Sequence, residues 1–465
     1  MKELNSTIMH YELVILGGGV AGYTAALRAA QLGRKTALIE AECLGGHSRC
    51  TGCIPSSDML WNAQFIQECT EAAQHGIHIQ DVSVDMKKMF KNREEKLERE
   101  AERIADLLNH CGVAVYHGSG SVLPDHRMRV TSQDNTVEII GWDKLLIATG
   151  AHPTVPKMYR DIPGLMTSRE IFNINYRPDE LTILGGGVAA CEAAVSFSAL
   201  GTKVTILQNS DRLLKRVDSE CLCRLEDNLR KRGVAVHYNT RVQEIYRDSV
   251  GNYHLDVLYD GMEKAISMTT GTVMLAMGQE ANVRGLEALA LNLHDGCIEV
   301  DRTLKASAKD VYAAGDAVSQ TFLTGSASNM AFCAIDNIFG NVQHPIDYSC
   351  IPVTLNLLPE VAFVGVDESF VDVEYVLGVY ENDCLYIKLI VEKYYGEILG
   401  VHAVGEGASA LVKQAAVIMQ MEGTIDDLLG TTYYHPTTDL SLFEAALKAK
   451  EALLNKELNE IEEKS

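Results

Sequence analysis

The sequence predicts an α/β protein: two Rossmann-like dinucleotide-binding units in series, followed by a separate α+β domain. Three observations predict it. A pattern of buried strand, glycine turn, Ala-rich helix and second strand occurs over residues 11–40 and again over residues 181–208, and each copy reads as a βαβ unit with a parallel sheet. The length of 465 residues asks for about three domains, at roughly 100–200 residues each. From about Asp347 the pattern changes to short strands and amphipathic helices.

In the first unit, Gly17, Gly19 and Gly22 form G-x-G-x-x-G between the strand and the helix. The first glycine permits a tight turn, the second lets a pyrophosphate approach the backbone, and the third lets helix and strand pack closely. The helix N-terminus offers free N–H groups and a positive dipole end to phosphates. Glu40 ends the second strand, where a carboxylate can accept hydrogen bonds from ribose hydroxyls. Residues 86–110 carry Met89, Phe90, Leu97, Ile104, Leu107 and Leu108 at helical spacing among charged residues, predicting a long amphipathic helix. Pro153, Pro156 and the turn at 162–164 mark a linker into the second unit.

The second unit keeps Gly185 and Gly187 but has Ala190 at the third position, and its second strand ends in Gln208 rather than a carboxylate. A weaker preference for the ribose 2′-hydroxyl of NAD follows. Arg212 and Lys215 lie nearby, and two readings of them stand: they meet a 2′-phosphate, or they solvate a loop. The coenzyme expected here is NADPH or NADH. In the last region strands are expected at 361–366 and 384–391, helices at 408–421 and 440–454, and a frayed, charged tail from Asn455.

Composition bounds the function. A formal net charge of −22 argues against nucleic-acid binding, which needs clustered Lys and Arg. No run of 18 apolar residues exists and the first twelve residues carry no signal-like pattern, so neither a membrane partner nor secretion is expected and a cytoplasmic location is. Twelve scattered cysteines suit a reducing compartment, most of them as small buried residues and a close pair as a catalytic candidate. No metal site is expected.

These features resemble the class I pyridine nucleotide-disulfide oxidoreductases, the family of dihydrolipoyl dehydrogenase, glutathione reductase and mercuric reductase, over nearly the whole chain. Beyond the glycine turns, Ala148-Thr149-Gly150 is similar to the family's second FAD contact, and Tyr312-Ala-Ala-Gly-Asp316 to its third, with Asp316 on the ribityl chain. Asn337-Ile-Phe-Gly340, Pro359-Glu360, Val364-Gly365 and His435-Pro436-Thr437 also fit. The resemblance implies FAD at the first unit (residues 1–150 and 277–346), NAD(P) at 151–276 and a dimerisation domain at 347–465. It implies a homodimer passing electrons from NAD(P)H through FAD to a disulfide or dithiol substrate, with His435 acting as acid–base from the partner subunit.

The departures cluster around the flavin. The family's redox segment here reads Gly45-Gly-His-Ser-Arg-Cys-Thr-Gly-Cys-Ile-Pro-Ser-Ser57. Cys53 keeps the flavin-proximal position, but Ser48 stands where the interchange cysteine belongs, and a serine cannot exchange with a disulfide. Cys50 and Cys53 form C-x-x-C, which on a continuous helix sets their Cβ atoms about 5–6 Å apart, within reach of a bond. Residues 48 and 50 differ by about 200° around such a helix, so Cys50 faces away from the family's substrate side. Three readings stay open: a redox-active Cys50–Cys53 pair, a lone functional Cys53, or structural thiols. Ser57 replaces the family's lysine, leaving Glu192 at its glutamate partner's position; Leu440 replaces the dyad glutamate, with Asp439 one residue closer; Tyr433 and Gln279 are further changes. Against disulfide reduction stand a flavoprotein without dithiol chemistry, with a quinone, oxygen, metal or protein as acceptor, and a degenerate FAD-binding subunit.

Overall fold

The computed structural model describes residues 8–318 and 324–464, and both glycine-turn units fold as βαβ. β1 (Met9–Leu16) and β2 (Thr36–Glu40) pair in parallel with α1 (Val20–Gln31) crossing between them. Leu13, Val14, Ile15 and Leu38 are fully buried, as expected of parallel strands covered on both faces. The small side chains of Ala25, Ala26 and Ala29 let α1 lie close against this sheet. The chain then runs through α2 (Gly46–Cys50) and α3 (Cys53–Glu71) to the amphipathic α4 (Met86–His110), which has the predicted bounds, and into β3 (Ala114–His117) beside β2.

β4 (Ser119–Leu123), β5 (Arg127–Thr131) and β6 (Val137–Ile147) follow as an antiparallel run. β6 serves two sheet regions: its first residues pair antiparallel with β5, and residues to its end lie parallel to β1. β7 (Ala151–Pro153) and the short α5 (Ser168–Ile171) lead into the second unit, β8 (Glu180–Leu184), α6 (Val188–Ala199), β9 (Lys203–Leu207), α7 (Ser219–Lys231) and β10 (Ala235–His237). A meander of β11 (Arg241–Arg247), β12 (Tyr253–Leu258) and β13 (Ile266–Thr270) precedes β14 (Val273–Leu275), which joins β8 in parallel.

The chain returns through β15 (Gln279–Ala281), and β15 pairs antiparallel with β7. The expected linker at Pro153 is therefore no loose tether: the outgoing and incoming crossovers hydrogen-bond to each other. After β16 (Leu293–His294) and β17 (Cys297–Ile298), β18 (Val311–Ala313) completes the first sheet beside the end of β6, and α8 (Thr324–Phe339) packs on α1.

The last region is a five-stranded antiparallel sheet in the order β19 (Val353–Leu355), β20 (Val361–Gly365), β23 (Ile398–Gly405), β22 (Leu385–Glu392), β21 (Tyr375–Glu381), followed by α9 (Ala408–Gln420), α10 (Ile425–Leu429) and α11 (Leu440–Lys464). Every residue of β22 is buried. Ile387, Leu389 and Val391 face α9 and α11, while Tyr386 packs toward the second unit, so this strand lacks the polar alternation of a half-exposed sheet. The tail expected to fray from Asn455 continues as helix to Lys464. Among the described residues, no helix is long and apolar enough to cross a membrane.

Candidate active site

The two glycine turns repeat each other down to their steric reason. Gly17 has φ +107° and a Cβ there would sit 2.2 Å from the Ala148 carbonyl oxygen; Gly185 has φ +114° and its Cβ would sit 2.2 Å from the Ala276 oxygen. Each turn thus lies directly against the end of a neighbouring strand, where only glycine fits. Gly19 and Gly187 are the N-caps of α1 and α6. Gly22 packs inward, its Cβ position 1.8 Å from the Gly17 oxygen. The second unit accommodates a methyl at the matching Ala190, which is fully buried.

A cavity of about 500 Å³ runs along the first turn, and Gly17, Gly19, Glu40, Thr149, Gly150 and Asp316 all line it. Glu40 organises its mouth: one carboxylate oxygen accepts from the Gly18 N–H at 2.6 Å, the other from the N–H groups of Glu42 at 2.7 Å and Cys43 at 3.1 Å. Gly45 and Gly46, both at positive φ, bring the start of α2 against the start of α1 through a bridge between Gly19 and Gly45. The Thr149 hydroxyl donates to the Asn282 carbonyl at 2.6 Å. A glycine cradle at the N-terminus of a twelve-residue helix, a carboxylate at the strand end and a long channel to Asp316 fit a dinucleotide of FAD's kind. Asp316 lies deep, and burial pushes its carboxyl up to about 6.

A second cavity of about 1110 Å³ lies between α3, α6 and α9; Cys53, Gly187, Ala190, Glu192, Gln279 and Asp316 are among its lining residues. The two cavities meet at His47, Ser48 and Asp316. Against the glycine turn of the second unit, Gln208 holds its own loop, donating to the Ser210 hydroxyl at 2.7 Å and the Arg212 carbonyl at 3.0 Å. Arg212 turns inward, donating to the Val217 carbonyl at 2.6 Å, whereas Lys215 and Arg216 stand exposed on the same loop. Of the two readings left open for these cations, the loop-holding one is visible for one Arg212 N–H, and the exposed cations are its neighbours.

The cysteine segment departs most from expectation. Cys50 is joined by a disulfide to Cys43, not to Cys53. The expected i, i+3 pairing fails because the helix is broken: α2 ends at Cys50, Gly52 is non-helical at φ −125°, ψ −110°, and α3 starts afresh at Cys53. At the break the chain lies close to His47, whose ring would be 2.6 Å from a Cβ at position 52, so a larger residue there would have to displace that ring. His47 bonds Thr51 Oγ1 at 2.7 Å, and burial, followed by the nearby Arg169 charge, lowers its pKa. Arg49 anchors the segment to the Leu44 and Leu97 carbonyls, both at 2.6 Å. Cys53 is exposed and lines both the large cavity and a shallower cleft with Ser57, Asp58, Trp61 and Lys96.

Glu192 projects from α6 beside the first turn of α3, where burial pushes its carboxyl up to about 7 against the opposing effect of the Ser56 hydroxyl. Ser57 accepts a hydrogen bond from the Asn356 amide at 2.6 Å. His435 and Asp439 line neither of the two large cavities. His435 lies in a wholly exposed stretch, 434–438, and Asp439 at its end is half-buried. Cys43, His47 and Arg49 carry no motif that a reading by spacing would single out; Gly52 between the two cysteines was the available sign of a broken helix.

Residues 11–334 match the model of the pyridine nucleotide-disulphide oxidoreductase family, and residues 366–446 match that family's dimerisation domain. The chain is 28% identical to a dihydrolipoyl dehydrogenase of Bacillus subtilis (strain 168), covering 94% of this chain and 98% of that protein. It is also 28% identical to the mitochondrial dihydrolipoyl dehydrogenase of Sus scrofa, covering 94% and 90%. The crystal structure of LpdA from Mycobacterium tuberculosis superimposes with a TM-score of 0.87 at 25% identity, over 95% of this chain and 99% of that one.

Proposed function

Because the chain belongs to the pyridine nucleotide-disulphide oxidoreductase family, we propose that it reduces a disulfide with electrons from NAD(P)H, using FAD in the first cavity and Cys53 as the flavin-side thiol. The balance is NAD(P)H + H⁺ + RSSR → NAD(P)⁺ + 2 RSH. The observation that carries this reading is the meeting of the two cavities at His47, Ser48 and Asp316, with Cys53 on the far one. FAD supplies the two-electron relay between nicotinamide hydride and sulfur.

The chain's own residues divide the remaining work. Gly17 and Gly19 with the start of α1 hold the pyrophosphate, Glu40 the ribose, and Thr149, Gly150 and Asp316 the channel toward the reacting ring. Gly185, Gly187 and Ala190 hold the nicotinamide coenzyme, with Lys215 and Arg216 rather than Arg212 facing its ribose end. Since Ser48 cannot exchange with sulfur, the thiol chemistry falls to Cys53, with Cys50 drawn in through its disulfide to Cys43. The exposed 434–438 stretch supports a homodimer in which the second subunit brings His435, flanked by Asp439, to Cys53 as acid–base.

The Cys43–Cys50 pairing also favours a second reading, electron transfer to an acceptor without dithiol chemistry. Anaerobic titration with NADH and with NADPH, with thiols counted afterwards, decides between them. Disulfide reduction expects four electrons taken up per FAD and two new thiols; two electrons and no new thiols would establish the second reading.

A further inference from the structure

We propose that Glu192 is the proton-holding group of this site, taking up one proton through the cavity it faces each time two electrons enter from the reduced coenzyme. The proposal rests on FAD occupying the first cavity. The reaction consumes one proton beyond the one carried by the hydride, and that proton must wait near the reduced centre until sulfur accepts it. A hydride brings net negative charge into a deep, partly enclosed space, and a carboxylate there gains affinity for a proton.

Glu192 is placed for this. It stands in the first turns of α6, directly after the coenzyme's glycine turn, and lines the cavity together with Cys53 and Asp316. Its carboxyl is deep in the protein yet half-open to that cavity, which gives protons a route. Its neighbour from α3 is the buried Ser56 hydroxyl, not a cation, and position 57 is serine. Among the described residues it makes no ion pair. The titratable and charged groups along the wall are His47 from α2, Cys53 from α3, Asp316 after β18, Cys350 before β19 and Lys413 from α9, with Cys191 beside it on α6. Burial holds Asp316 toward its neutral form, which limits its repulsion of the Glu192 carboxylate, and holds His47 neutral; Lys413 is the remaining cation of the wall, and the Glu192 carboxyl is governed by its burial and the Ser56 hydroxyl. The carboxyl, pushed up to about 7, therefore changes charge near neutrality.

In the balanced cycle, the hydride enters, Glu192 carboxylate takes H⁺ from solvent, and the disulfide then receives two electrons with the hydride's proton and the one from Glu192. The test is a potentiometric titration of the FAD-loaded protein with dithionite across pH 6–9, for wild type, Glu192→Gln and Ser57→Lys. One extra proton per two electrons adds about 30 mV per pH unit to the midpoint slope, the tenfold step for a two-electron couple. Wild type is expected to show that extra slope above pH 7. Glu192→Gln removes it, and Ser57→Lys removes it too, because an adjacent ammonium keeps the carboxyl ionised. Infrared difference spectra at pH 8 should show a protonated-carboxyl band appearing on reduction of wild type. Equal slopes in wild type and Glu192→Gln, or no such band, overturn the proposal; should Glu192→Gln not retain FAD, the band and Ser57→Lys decide. A wild type that binds no FAD would instead overturn the functional reading on which this one rests.

Discussion

Gly22 and Ala190 hold matching positions in two echoing turns, yet they are not interchangeable. A methyl at 22 would sit 1.8 Å from the Gly17 oxygen, backbone against backbone, with no flexible side chain to yield. Gly22→Ala is therefore expected to abolish FAD retention or folding, whereas Ala190→Gly should cost roughly 1 kcal/mol of helix propensity and leave flavin content unchanged; visible absorbance of the purified variants checks both. Gly17, Gly19, Glu40, Thr149, Gly150 and Asp316 each belong to a local pattern in the sequence, and all six line the first cavity. Arg212 stayed open between two readings because proximity in sequence does not say which way a long side chain turns; one of its N–H groups donates to its own loop's carbonyl at Val217.

At the scale of elements, the α2–α3 break and the docking of the last sheet were beyond a reading by spacing. The C-x-x-C suggested one continuous helix, but the chain is non-helical at Gly52 and α3 starts afresh at Cys53. Lys388 on β22 reads in sequence as an anomaly within an apolar strand. The fold explains it: Lys388 Nζ meets Asp218 at 2.5 Å and Glu368 at 3.2 Å, all but sealed from water on the Lys388 and Asp218 sides. Asp218 also caps α7, accepting from the Glu220 and Cys221 N–H groups, so one buried pair ties the second unit to the last sheet. Arg224 adds a second tie, reaching Glu381 at 2.6 Å across the Tyr386 ring. Removing one member of a buried pair leaves an uncompensated charge at a cost of about 3–5 kcal/mol. Asp218→Asn leaves Lys388 with Glu368, so it should lower stability by more than about 1 kcal/mol but less than that full amount in denaturant titrations, while Lys203→Met, breaking the exposed pair with Glu180, should change it by less than about 1 kcal/mol.

For the whole molecule, the order of units was readable because each announces itself by local periodicity, from the first glycine turn to α11. What joins them was not. Contacts such as Lys388 with Asp218 link residues far apart in sequence, and assembly into a dimer leaves no periodic trace. The exposed His435 stretch and the cavity-facing Cys53 sit on one subunit without meeting in either large cavity. If each active site is completed across two subunits, mixing Cys53→Ser with His435→Ala protein, each inactive alone, should restore activity through hybrids that contain one intact site. No recovery after subunit exchange, verified by native mass spectrometry, would argue that each subunit works by itself.

The ladder between β7 and β15 carries a consequence for how such a protein can be rebuilt. Gln279 sits opposite Pro153, and the Thr154 N–H donates to the Gly278 carbonyl at 3.0 Å, so the chain leaves and re-enters the flavin unit through one doorway. Residues 154–278 are in effect a cassette with adjoining ends. A homologous segment with a different coenzyme preference could be spliced in at those two points, and the graft would have to match the surfaces around Asp218, Arg224 and Glu192 together with those where Phe172 meets Arg93, Arg232 meets Gln67 and Arg169 meets Glu42.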